Sequence, residues 1–325
     1  RIEIAKQAMN FSIAHFTTAS GVLYESIDLY YEHFGQAVHQ APVVLINHSL
    51  TGDSNVAGDK GWWTSIVGSG KTIDTDAFAV IAFNIPGNGA ADYCIKSYSD
   101  FHTGDIARIF YLGLQLLKID KLYAVIGGSI GGGIAWEMAA LYPQLADYVI
   151  PVAADWKATD WIIANTFLQE RILKNSSQPL RDARIVAMLT YRTPQSFEYR
   201  FGRSKSEERG YYNVEGWLLH HGNKLVNRFH LDAYVMMNHL LASIDITRNG
   251  EDPKTLISSI ASEIHLIAID SDLFFTPDED RKTYALVHPE KENIYYHELQ
   301  SIHGHDAFLI ENDSVSKILK KIFTL

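Results

Sequence analysis

Short apolar blocks at residues 11–16, 24–31, 43–47, 78–84, 122–126 and 148–153 are bounded by turn-forming and charged residues, and helically spaced apolar residues lie between the later ones. Such blocks predict strands, and their alternation with helices predicts a mostly parallel sheet wrapped by helices. The first two predict an antiparallel start, because Gly21 stands between them where a turn is needed. Past Ala153 the pattern changes. From Asp155 to about Ser258 no strand block appears, only amphipathic helical stretches rich in Trp, Tyr, Arg and His, such as 184–191 and 233–245. Strand blocks return at 264–270 and 294–299, and an amphipathic helix over 314–323 closes the chain. The expectation is an α/β core domain, residues 1–154 and 259–325, interrupted after the sixth strand by a helical lid, residues 155–258. A lid placed there lies over the carboxyl ends of the strands, where ligands bind in open α/β sheets.

Composition narrows the class without selecting it. A chain of 325 residues with 47% apolar content is enough for one large α/β domain with an insertion, or for two domains. No apolar run approaches membrane-spanning length and no charged-then-apolar leader opens the sequence, so a soluble protein with no membrane partner is expected. The single Cys94 excludes an internal disulfide framework and fits a reducing, cytoplasmic setting. A net charge of −10, with no cluster of Lys and Arg to offset it, argues against a nucleic-acid partner, so an anionic substrate would need local basic groups.

The run Tyr123-Ala124-Val125-Ile126-Gly127-Gly128-Ser129-Ile130-Gly131-Gly132-Gly133 carries the most chemistry, because it sets a serine between glycines where an apolar strand gives way to a helix. A turn that sharp admits only Gly beside it and lifts the Ser129 hydroxyl above the sheet as a nucleophile. The N–H of Ile130, opening the helix, would face a developing oxyanion. A serine nucleophile needs a base and a carboxylate, in the chain order Ser, acid, His. Asp272 follows the strand at 264–270, and His305 lies in the loop after the last strand. Asp270 is the alternative acid and His303 the alternative base; Asp272 is preferred because it sits in the turn. The His303-x-His305 pair lacks the Cys or His partners that a structural zinc site requires, so no metal is expected. The second oxyanion donor should come from the loop Asn47-His48-Ser49-Leu50-Thr51-Gly52 after the third strand, with the Leu50 N–H as candidate.

Taken together, His48-Ser49-Leu50-Thr51-Gly52-Asp53, Gly61-Trp62-Trp63, Gly127-Gly128-Ser129-Ile130-Gly131-Gly132, Ser271-Asp272-Leu273-Phe274 and Gly304-His305-Asp306-Ala307-Phe308-Leu309 resemble the homoserine O-acetyltransferase family. Within the lid, Arg184-Ile185-Val186-Ala187-Met188-Leu189-Thr190-Tyr191-Arg192 and Val214-Glu215-Gly216-Trp217 extend the resemblance. It implies the α/β-hydrolase fold and an acyltransferase that moves acetyl from acetyl-CoA to L-homoserine, a step toward methionine, through a Ser129 acyl-enzyme. Acetyl-CoA would be a co-substrate, with no bound cofactor. Further implications are that Arg184 and Tyr191 hold the homoserine carboxylate, that Asp306 holds its ammonium, and that the lid helices pair two subunits, with Met236, Met237, Leu240 and Leu241 offering a candidate surface. The chain departs from the family pattern in a shortened loop after Asn84, in Ile130 where Met is usual, and in Phe229-His230 where Phe-Asp is usual. A succinyl donor, a serine acceptor, or hydrolysis by an esterase or thioesterase are the alternatives these departures leave.

Overall fold

Central strands with apolar residues at every position must be covered on both faces, and the sheet of this chain is. The computed structural model describes residues 9–325; residues 1–8 of the expected core domain lie outside it. The eight-stranded sheet contains β1 (Met9–Thr17), β2 (Leu23–Gly35), β3 (Val43–Asn47), β4 (Ala79–Phe83), β5 (Leu122–Gly128), β6 (Ala146–Val152), β7 (Glu263–Ile269) and β8 (Ile294–Leu299). Their spatial order is β1-β2-β4-β3-β5-β6-β7-β8. β1 pairs antiparallel with β2, and β2 antiparallel with β4; every later pair is parallel. Gly21 makes the β1–β2 turn at φ 91°, a conformation open to residues without Cβ. A two-stranded ribbon, Val67–Gly68 with Ile73–Asp74, is too short for any apolar alternation to reveal.

Side chains alternate across the sheet. Leu45, Ile81, Phe83 and Val125 join α1 (Thr103–Leu116) and α2 (Ile130–Leu141) in one core. Val44, Ile46, Val80 and Ile126 face the other way, onto Val315 and Leu319 near the C-terminus. Each such buried side chain contributes about 1.5–3 kcal/mol over exposure. Between β6 and β7 the chain is helical: α3 (Asp160–Asn175), α4 (Pro179–Tyr191), α5 (Pro194–Phe201), α6 (Asn213–Arg228), α7 (Leu231–Ala242) and α8 (Pro253–Ser258). Thr159, Thr193 and Asp252 cap three of these with side-chain oxygens, the last two just ahead of a Pro at the first helical position. α9 (Pro277–Val287) follows β7.

The helical stretch expected over 233–245 is displaced: α7 runs Leu231–Ala242 and ends before Ile244, whose carbonyl accepts from Ala158 N–H. Its apolar stripe is also not a surface, because Met236, Met237, Leu240 and Leu241 are buried within the subunit. Amphipathicity fixes which face is covered but not by what. Among the described residues no helix is long and apolar enough to cross a membrane.

Candidate active site

Strand β5 ends in Gly127 and Gly128, in register with Asn47 at the end of β3 and with Pro151 and Val152 of β6. Ser129 follows at φ 57° and ψ −123°, outside the regions an L-residue prefers. The glycines show what forces this geometry. A Cβ on Gly127 would stand 2.3 Å from the Gly131 carbonyl oxygen, and one on Gly131 would stand 2.4 Å from that of Asn47. The turn closes only because neither residue has a side chain. Ser129 N–H donates to the Val152 carbonyl at 2.9 Å, while no group among the described residues hydrogen-bonds its Oγ.

The loops after β7 and β8 supply the partners. His305 Nδ1 lies 2.8 Å from Asp272 Oδ2, and Asp272 Oδ1 accepts N–H bonds from Phe274 at 2.8 Å and Phe275 at 3.0 Å. The alternatives are engaged elsewhere: Asp270 accepts from Ser301 N–H, and His303 Nδ1 meets Ser196 Oγ. The His305 ring is enclosed by Tyr191, Phe274, Phe275 and Phe308, at centroid separations of 5.3–5.9 Å. Phe308 also ties this ring to the elbow, since its ring occupies the space a Gly128 side chain would need. Burial pushes the His305 ring toward neutrality, but the Asp272 carboxylate outweighs it and leaves the ring above the ordinary histidine value. Burial pulls the Asp272 carboxyl upward, against His305 and the two N–H donors that favour its ionised form.

The two backbone donors expected for the oxyanion are uncommitted. Neither the Leu50 nor the Ile130 N–H gives its hydrogen to another group among the described residues. The loop that carries Leu50 is braced by groups that the sequence reading did not single out. His48 Nδ1 bonds the Ser49 carbonyl, so its Nε2 is the acceptor for Ile85 N–H at 2.9 Å, and Asn88 Nδ2 reaches that same nitrogen. Burial lowers the pKa of His48, which keeps the acceptor nitrogen unprotonated. Only the adjacency of β3 and β4 in the sheet could have shown that His48 and the 84–88 loop meet.

Above the site, α4 presents Arg184 and Tyr191 on one face. The Arg184 guanidinium lies 5.7 Å from the Tyr191 ring centroid, and its buried Nε has no hydrogen-bond partner among the described residues. Burial raises the Tyr191 hydroxyl to about 12, so it is a neutral donor at physiological pH. Asp306 is already partly engaged: its Oδ2 accepts from Arg192 Nε at 3.1 Å. Among the described residues no group of three or more His, Cys, Asp or Glu side chains is arranged to hold a metal ion. A buried imidazole on a carboxylate, a strained serine and two unspent N–H donors form an arrangement suited to acyl transfer through a tetrahedral intermediate.

Residues 42–225 match the α/β-hydrolase fold family. The chain is 32% identical to homoserine O-acetyltransferase of Trichormus variabilis over 302 residues, 85% of this chain and 82% of that protein. Esterase E22 superposes with a TM-score of 0.87 at 20% identity, covering 98% of this chain and all of that one. Homoserine O-acetyltransferase from Bacillus anthracis superposes with the same TM-score at 19% identity, covering 98% of each. At that identity the two structures speak for the fold.

Proposed function

Since the chain belongs to the homoserine O-acetyltransferase family of the α/β-hydrolases, and is by that membership a serine-dependent acyltransferase, we propose that it moves an acetyl group from acetyl-CoA to the hydroxyl of L-homoserine. The carrying observation is the Arg184 guanidinium, set beside Tyr191 with its buried Nε unpaired among the described residues. An unspent guanidinium matches a planar carboxylate on the acceptor, and a simple ester hydrolase has no use for it. In this reading Ser129 Oγ attacks the thioester carbonyl while His305 Nε2 takes its proton, and the Leu50 and Ile130 N–H groups hold the oxyanion. The thiolate leaves with the proton from His305. His305 then deprotonates the homoserine hydroxyl, which attacks the acyl-enzyme and frees Ser129 in a ping-pong cycle. Arg184 and Tyr191 hold the acceptor carboxylate, and Asp306, shared with Arg192, holds its ammonium. The enzyme would act in cytoplasmic methionine biosynthesis, as two copies paired through the lid.

One observation favours water as acceptor instead: the Arg192 pairing leaves Asp306 with less charge to offer an ammonium group. Thiol release from acetyl-CoA and from succinyl-CoA, each with L-homoserine, L-serine or no acceptor, separates the readings. We expect release from acetyl-CoA that depends on homoserine and falls by roughly 10³-fold or more in Ser129→Ala. Release indifferent to the amino acid would replace the transferase with a hydrolase.

A further inference from the structure

Two hollows in the lid share one wall. The inner one, of about 20 Å³, is lined by Leu50, by Tyr191 and Phe274, whose rings pack on that of His305, and by Thr166 and Asn238. The outer one is an apolar groove of about 330 Å³ between α3 and α7, and it begins at the same two residues, continuing past Ile163, Phe167 and Leu173. Both wall residues are buried, Asn238 at 6% exposed and Thr166 at 5%. Asn238 Nδ2 donates to the Thr166 carbonyl at 3.0 Å, which bolts α7 to α3 at the partition. A second bolt stands beside it, where Tyr234 OH donates to Gln169 Oε1 at 2.8 Å while Gln169 Nε2 donates to the Ala183 carbonyl. A buried amide is costly unless its hydrogen bonds are made, and an apolar side chain would fill this space without that requirement. A satisfied polar partition is stiff, because any shift that admits a ligand leaves donors unpaired.

We propose that Asn238 and Thr166 form the stop that limits the acyl group to acetyl, and that removing the stop joins the inner cavity to the outer groove, so that longer acyl chains are accepted. The inference rests on the acyl-enzyme reading, in which the acyl carbon lies between Ser129 and Leu50 and its methyl points into the inner cavity. About 20 Å³ is the room one water needs; a methyl group fits it, and a chain of several methylenes meets the wall.

The test uses p-nitrophenyl esters from acetate to octanoate, which need no amino-acid acceptor, on the full chain. The wild-type protein should lose roughly 10-fold or more in kcat/KM from acetate to hexanoate, the scale on which pocket size discriminates methylenes. In Asn238→Ala the hexanoate-to-acetate ratio should rise about 10-fold or more. Thr166→Ala thins the same wall from α3 and should move the ratio in the same direction, which keeps the test decisive if the first variant does not fold. Asn238→Leu, which refills the space with apolar atoms, should keep the wild-type ratio. A wild-type protein that takes octanoate as readily as acetate, or folded Ala variants with an unchanged ratio, would overturn the stop while leaving the acyl-enzyme intact. Ester turnover that persists in Ser129→Ala would sink the acyl-enzyme reading and this inference with it.

Discussion

His305 is where burial and charge pull in opposite directions, and which one wins sets the working pH. Its ring is 4% exposed among four aromatic side chains, which alone would favour the neutral form, yet the Asp272 carboxylate at 2.8 Å prevails and the pKa is raised. A base works only when neutral. The acid limb of kcat/KM for thiol release should therefore be centred above about 6.5, the ordinary histidine value, with activity lost as pH falls through it. Asp272→Asn removes the opposing charge, so the limb should move below the wild-type position, and kcat should fall by roughly 10⁴-fold because the tautomer is no longer fixed. A limb that stays in place in the variant would mean that Asp272 does not set the base. At this scale the sequence was informative where chain order constrains chemistry, as with Asp272 and His305, which the structure brings to 2.8 Å. It was silent on pairings made through space: nothing in the order of residues shows that Arg192 reaches Asp306, or that His48 accepts from Ile85.

Between elements, the decisive contact is the approach of β3 to the start of α2. Asn47 Nδ2 donates to the Gly131 carbonyl at 3.2 Å, and Gly131 has no room for a side chain on that side. In Gly131→Ala the new methyl would sit 2.4 Å from the Asn47 carbonyl oxygen and 2.7 Å from that of His48, both backbone atoms that cannot swing aside. The amino end of α2 must then back away from β3, which parts the Ile130 N–H from the Leu50 N–H and shifts Ser129. Since a misplacement of about 1 Å costs on the order of 100-fold, thiol release should fall at least that far, with a lowered melting temperature. Wild-type activity in a folded Gly131→Ala protein would refute the tight closure. The strand blocks and the elbow could be read in advance because each is written in adjacent residues: apolar runs for strands, Gly-x-Ser-x-Gly for the turn. The lid resisted the same reading. Its helices were recognisable, but α7 looked like an outer surface because its stripe of Met236, Met237, Leu240 and Leu241 does not say which neighbour covers it.

For the molecule as a whole, burying α7 moves the question of pairing to α3. Trp161, Ile163, Phe167 and Leu168 lie on this helix with 45–63% of their surfaces exposed, an apolar grouping unusual for a surface that stays in water. The net charge of −10 disfavours contact between copies at long range, so any pairing must come from apolar burial at short range. If two copies meet through the lid, as proposed, α3 is the helix with apolar surface to bury, and Phe167, the most exposed of the four at 63%, is the place to break it. Light scattering should give about twice the 36.6 kDa chain mass for the wild-type protein and the single-chain mass for Phe167→Asp. A monomeric wild-type protein at micromolar concentration would end the proposal. The variant carries a second consequence, because Asn165, Thr166 and Gln169 of the same helix line the inner cavity. A partner pressed on α3 from outside braces that cavity from behind, so separating the copies should lower acyl transfer by Ser129 more than it lowers the melting temperature.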